Sequence, residues 1–331
     1  MYKSLKLAIG PRVRKSPYYE SSLKYGGEVF TIYNHMYLPI GFEGAIPDYN
    51  KLLDGVQLWD VGCERQIEIT GQDAEKLAQF VTPRDVSKCS PGQAMYTPLI
   101  DFNGGILNDP VMLRLDDNHF WFSLADGDSI LWVEGIAAGY NFDVQIQEPD
   151  VSPLQIQGPN STELMSRVFG NWIKDLGFYT FKRQSFKGIP MVIARMGYSR
   201  ERCYEIFLCD HKKGNELWEI LWKEGQDLKV SAGTPNQILR LEAGILSYLG
   251  DMDRSNNLYE VGLDWIVDLE QSNDFIGKTA MQKIKSDGVK KKLMGGEISG
   301  KEMKFFNEEH WPVLIDNHQV GHLTTAAYSP R

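Results

Sequence analysis

Between Gln66 and Thr70 polar and apolar residues alternate, which predicts a strand with one buried face. Gly71 ends it. From Asp73 the apolar residues Ala74, Leu77, Ala78 and Val81 recur at helical spacing, predicting a helix capped by Asp73 and stopped by Pro83. The same order returns later. Residues 153–157 predict a second strand, Gly158 ends it, and Leu164 and Val168 mark the apolar face of a helix capped by Asn160 or Ser161. In both copies Leu stands six residues and Val ten residues after the glycine. This is either a duplicated strand–turn–helix unit or a chance similarity of two amphipathic helices.

Between the copies, residues 106–115 and 119–125 predict a hairpin around Asp116-Asp117-Asn118, followed by a helix at 129–138 and a strand at 142–146. Residues 192–195 and 204–208 predict an antiparallel pair, and 215–224 a helix. Helices and strands mix without strict βαβ alternation, so the expected class is α+β rather than a doubly wound sheet. The basic stretch 283–292 reads as a domain linker. Short strand candidates at 296–298, 312–315 and 320–323 follow and suggest a small β domain.

Composition narrows the function classes. The 331 residues are 42% hydrophobic and 24% charged, ordinary for a globular protein of two or three domains. A net charge of −9 argues against a nucleic-acid or anionic-membrane partner. No apolar run is long enough for a membrane span. The start, Met1 to Ser16, carries Lys3, Lys6, Arg12, Arg14 and Lys15 with no apolar core behind them. It is no secretory signal; a mitochondrial leader is conceivable, though the run is short and Ser-poor for one. Cys63, Cys89, Cys203 and Cys209 show no metal-ligand spacing, so no metal is expected, and scattered thiols fit a reducing cytoplasm.

Nucleotide and hydrolase motifs are missing: no GxGxxG after a strand, no GxxxxGK[ST], no GxSxG. Gly104-Gly105 fits a loop entering a hairpin. Asn108-Asp109-Pro110, on its residues alone, reads as a turn or edge-strand irregularity, because Pro110 forces Asp109 into an extended conformation. His35, among apolar neighbours, reads as a hydrogen-bonded core residue.

Taken together, several segments are more specific. Gly104-Gly105-Ile106-Leu107-Asn108-Asp109, Gln157-Gly158-Pro159, Arg240-Leu241-Glu242-Ala243-Gly244, Phe275-Ile276-Gly277-Lys278 and Val320-Gly321-His322-Leu323-Thr324-Thr325 occur in an order that resembles the glycine-cleavage T-protein (aminomethyltransferase) family. Tyr33-Asn34-His35-Met36, Gln57-Leu58-Trp59-Asp60-Val61, Thr82-Pro83-Arg84-Asp85, Phe120-Trp121-Phe122-Ser123 and Ser247-Tyr248-Leu249-Gly250-Asp251-Met252 resemble that family's branch of tetrahydrofolate-dependent dimethylsulfoniopropionate demethylases.

The resemblance implies a three-lobed T-protein-like fold. Residues 1–285 would form two interleaved α+β lobes around a central folate channel. Residues 290–331 would begin a C-terminal β domain whose last strands, after a Ser-Pro like Ser329-Pro330, are missing here. It also implies roles. Asp109 would be the catalytic acid group near N5 of the folate. Tyr96, Ser123, Glu205, Phe207 and Arg240 would join it around the folate, with Glu205 holding the pterin's amino edge. Tyr33, Trp172 and Tyr198 would enclose a sulfonium. The simpler alternatives are a surface glutamate on an exposed strand face for Glu205 and a core residue at a helix end for Trp172.

This chain also departs from the family. Tyr198 stands where the demethylase branch would have Trp. Phe207 lacks a hydroxyl that Tyr would offer. The T-protein Gly-Tyr-Thr-Gly-Glu stretch is here Gly197-Tyr198-Ser199-Arg200-Glu201.

Three functions follow as expectations. The first is an enzyme moving a methyl group from a sulfonium, or a related onium, to N5 of tetrahydrofolate. The second is an aminomethyltransferase-like enzyme acting on glycine or a methylated glycine. The third is a non-catalytic folate-binding module. The partners implied are small molecules, tetrahydrofolate and an onium or amine, and a homodimer is compatible with them.

Overall fold

The computed structural model describes residues 10–331 except 200, 304, 305 and 308. Lys3 and Lys6 of the basic start, and Arg200 of the departing stretch, lie outside the described residues.

Two sheets face each other. One runs in the order Gln145–Gln147, Gln66–Thr70, His119–Ser123, Val111–Asp116, Gln93–Tyr96, antiparallel throughout. The other runs Phe181–Phe186, Ile189–Ala194, Cys203–Leu208, Ser152–Gln157, Val56–Asp60, Val230–Gly233, with only the last pair parallel. Alternation decides what each face buries. Ile67, Ile69, Phe120 and Phe122 turn outward onto Leu77 of the helix Ala74–Phe80 and Val133 and Ile136 of the helix Ser129–Gly139. On the far side, Leu154, Ile156, Tyr204 and Ile206 turn outward onto Leu164 of Ser161–Phe169 and Leu217 and Trp218 of Gly214–Glu224. Between the sheets, Leu113, Leu115 and Trp121 meet Val192, Ala194 and Phe207. The layers are helix, sheet, sheet, helix, which makes the expected α+β class concrete.

The two strand–turn–helix copies match bond by bond. Gly71 has φ +123° and Gly158 has φ +112°. A Cβ on Gly71 would lie 2.7 Å from the Asp143 carbonyl oxygen, and one on Gly158 2.6 Å from that of Gly55. Those same carbonyls accept the backbone N–H groups of Asp73 and Asn160, each at 3.1 Å. Neither residue caps its helix with its side chain, contrary to expectation. Asp73 instead accepts from the Asp143 N–H, and the Asn160 amide donates to the Leu228 carbonyl. The neighbouring segment thus holds the residue before each helix in place.

The copies are interleaved. Val56–Asp60 sits inside the six-stranded sheet, while the very next strand, Gln66–Thr70, belongs to the five-stranded one. Residues 61–65 therefore cross from sheet to sheet.

Several sequence expectations shift. The hairpin at 106–125 is broken at Asp109-Pro110, because proline brings no N–H to a ladder. Ile106–Asn108 pairs with Leu99–Ile100, and Val111–Asp116 with His119–Ser123. The strand expected at 142–146 forms as Gln145–Gln147. Half of the supposed linker is the helix Lys278–Asp287, whose Met281 is buried against Gly104. No strand forms at 296–298, while Trp311–Ile315 and His318–Leu323 pair as a ribbon. His35 is exposed, not core: its imidazole Nε2 lies 2.9 Å from Asp128 Oδ2 at the tip of the ribbon Val29–Tyr33/Met36–Gly41. Among the described residues no helix is long and apolar enough to cross a membrane.

Candidate active site

A cavity of about 1090 Å³ opens where the two sheets, the Val29–Gly41 ribbon and the loop 244–248 converge. The crossing segment 61–65 lends it Cys63 and Glu64.

Asp109 reaches this cavity because the break between its two strands is fixed on both sides. Asn108, fully buried, donates its amide to the Ala125 carbonyl and accepts the Ala125 N–H at 2.9 Å. Pro110 keeps Asp109 extended. The reading as an edge-strand irregularity describes the backbone, and the break between the two strands brings a carboxylate to the cavity. The Tyr96 hydroxyl donates to Asp109 Oδ2 at 2.9 Å. Burial pushes the Asp109 carboxyl up to about 7, against the pull of the Tyr96 hydrogen bond. Ser123, at the end of its strand, also lines the cavity, and its hydroxyl accepts from the Gln66 amide at 3.1 Å.

Glu205 lies mid-strand opposite Gln155 and Ala194. It is 1% exposed, so it is no surface glutamate. Its Oε1 is buried with no hydrogen-bond partner among the described residues. Burial, then the charge of Glu64, pushes its carboxyl well above the usual range. Such an acceptor costs free energy unless a donor meets it. A ligand edge bearing N–H groups fits that requirement.

Tyr33 and Tyr198 line the same cavity. Tyr198 donates its hydroxyl to the Leu246 carbonyl at 3.0 Å. Burial, then the nearby Glu64, pushes the Tyr33 phenol up.

Three expected site residues stand elsewhere. Trp172 packs against the helical side of the six-stranded sheet, donates its indole N–H to the Phe169 carbonyl at 2.7 Å and carries Lys182 over its face. It is half-buried and lies just beyond the helix Ser161–Phe169. Phe207 shares a strand face with Glu205 but is covered by Trp121 between the sheets. Arg240 is 1% exposed and spends its donors on Asp251, Gln237, Ile245 and Thr325, tying the loop and the C-terminal segment together behind the wall.

Sequence reasoning missed others. Glu64, Tyr179 and Tyr248 line the cavity, and Phe178 and Trp265 flank it as exposed rings. Arg84 lies over Trp265 at 5.1 Å and donates to the Tyr96 carbonyl. No periodic pattern marks Glu64, because it stands in the link between two strands.

The family described as GCVT N-terminal domain matches residues 18–271. Dimethylsulfoniopropionate demethylase DmdA of Ruegeria pomeroyi is 42% identical over 323 residues, covering 96% of this chain and 86% of that protein. An aminomethyltransferase of Thermoanaerobacter sp. (strain X514) is 28% identical over 324 residues, covering 96% of this chain and 86% of that one. The crystal structure of glycine cleavage system aminomethyltransferase T from Bartonella henselae superposes with a TM-score of 0.73 at 23% identity, over 83% of this chain and 75% of that one. The last likeness speaks for the fold.

Proposed function

Since the chain belongs to the GCVT family, we propose that it is a tetrahydrofolate-dependent methyltransferase that demethylates a sulfonium of the dimethylsulfoniopropionate type. One observation carries the reading on the side of geometry: a single cavity gathers the carboxylates of Asp109 and Glu205 with the rings of Tyr33 and Tyr198.

When bound, tetrahydrofolate supplies the N5 lone pair for the new C–N bond, while the C–S bond breaks with its electron pair kept on sulfur and the N5 proton passes to solvent. The donor is already activated, because a neutral thioether leaves. The chain's task is alignment and exclusion of water. Tyr33 and Tyr198 offer faces to the cation, each worth about 0.5–2 kcal/mol. Asp109, held by Tyr96, stabilises positive charge as it moves away from sulfur. The unpartnered Glu205 Oε1 accepts from the pterin's donor-rich edge. Four free cysteines, three of them buried, accord with a reducing cytoplasm, and the reaction belongs to one-carbon metabolism.

The test is direct. The protein is incubated with tetrahydrofolate and a panel of sulfonium and ammonium compounds, glycine and methylated glycine, and 5-methyl- and 5,10-methylenetetrahydrofolate are followed. Methyl transfer from the sulfonium is expected. Turnover of glycine or methylated glycine alone would overturn the proposal.

A further inference from the structure

We propose that Glu64 is the specificity-determining carboxylate that lets the cavity take a donor bearing a fixed positive charge in preference to an uncharged one. The inference rests on the reading of this site as an onium-to-folate methyltransferase.

Glu64 sits in the segment that crosses between the sheets, and its backbone is anchored twice. Its N–H donates to the Val61 carbonyl at 2.9 Å, and its own carbonyl accepts from the Gln66 amide. Its side chain faces the cavity beside Cys63 and Tyr33. The adjacent cation does not neutralise it, because the Arg65 guanidinium is taken up by Glu148 at 2.7 Å and Asp128 at 3.2 Å. Among the described residues, the Glu64 carboxylate accepts no hydrogen bond and joins no ion pair.

The neighbouring carboxylates differ. Asp109 is bound by the Tyr96 hydroxyl, and Glu205 stands on a strand opposite Gln155. The groups facing Glu64 are Asp109, Glu205, Cys63 and Tyr33, with Asp126 acting on the last two; none is a cation. Of the cavity's three arginines, Arg84 is engaged at Tyr96 and Trp265, Arg195 donates to the Leu176 carbonyl, and Arg202 is exposed at the rim. Burial, then the charge of Asp109, pushes the Glu64 carboxyl up to about 8. A carboxylate without a counter-charge, next to an aromatic face, is complementary to an onium that hydrogen bonds cannot hold. Below about pH 8 the free site holds Glu64 protonated; an onium draws out its ionised form and releases the proton, whereas an uncharged thioether or amine leaves it neutral and gains nothing from it.

The test uses calorimetry on the whole protein with three probes: 3-(trimethylammonio)propionate as an unreactive onium, 3-(methylthio)propionate as the form uncharged at sulfur, and tetrahydrofolate. Wild type should prefer the onium over the thioether by about tenfold or more, and E64Q should lose that preference with thioether and folate affinities changed by less than about twofold. E64D, which keeps the charge, should recover part of it. Repeating the onium titration near pH 7.5 in buffers of different ionisation enthalpy should show proton release by wild type and less by E64Q. Equal losses for all three probes, or an undiminished onium preference in E64Q, would overturn the role of Glu64 while onium turnover by wild type leaves the proposed function standing. Absence of methyl transfer from any onium by wild type would overturn both.

Discussion

At the scale of single residues, charge and shape can be separated at Asp109. Asp109→Asn keeps a good turn residue before Pro110 and most hydrogen-bonding capacity. If the carboxylate stabilises moving charge, single-turnover methyl transfer with both ligands saturating should slow by about 10²-fold or more. Ligand affinity should change much less. A wild-type rate would remove Asp109 from the mechanism. Because burial lifts this carboxyl to about 7, the wild-type rate should climb as pH rises through that value and the carboxylate ionises, and the Asn variant should lack that limb. Glu205→Ala should weaken tetrahydrofolate binding by about 1.5–3 kcal/mol, read by calorimetry on folded protein. What the sequence reveals at this scale is uneven. Asp109 and Glu205 stand in strings that can be read locally, a proline-fixed turn and an alternating strand. Phe207 shares the face of Glu205, yet nothing near it in sequence says that Trp121 will cover it. Arg240 is decided by partners as distant as Thr325. Glu64 lies in a link without periodicity, so only the crossing of the chain reveals where it points.

At the scale of elements, alternation and helical spacing locate most strands and helices, since each records which face meets the core. The misreadings occur where another segment decides. The lysines of 283–292 conceal the helix Lys278–Asp287, which exists because Met281 packs under Gly104. The repeated turns make a sharp prediction. Gly158→Ala places a Cβ 2.6 Å from the Gly55 oxygen at φ +112° and should destabilise by about 3 kcal/mol in urea unfolding. Gly262→Ala, at φ +75° with open space around it, should cost only the conformational penalty of about 1–2 kcal/mol. Equal losses would show that strain alone, not the carbonyl contact, constrains the turn. The Val29–Gly41 ribbon depends on buried Asn34. Its amide donates to Cys63 and Ala125, and its side-chain oxygen accepts the Gly127 N–H. Asn34→Ala should speed amide exchange along the ribbon and raise the onium KM more than the folate KM, because Tyr33 is its neighbour.

At the scale of the whole molecule, the buried carboxyls set the response to pH. Asp60 is pushed up to about 6 by burial, Asp109 to about 7, Glu64 to about 8, and Glu205 well above the usual range. In the unfolded chain such groups release their protons near about 4. Between those values the folded state binds more protons, so stability falls as pH rises. Tm at pH 8.5 should lie several degrees below Tm at pH 5.5 at constant salt. The surface pairs that hold Asp73, Asp128 and Asp268 below the usual range act at lower pH and do not oppose this. An unchanged Tm would contradict the buried ionisations. The crossing of the chain at 61–65 also determines how the protein divides. A cut near Asp150 leaves the amino-terminal piece with its five-stranded sheet complete and one surplus strand, Val56–Asp60. The carboxy-terminal piece is left with a slot between Ser152–Gln157 and Val230–Gly233 that only this strand fills. The two pieces are donor and acceptor of a strand, as in a split reporter, and the site exists only when they are mixed.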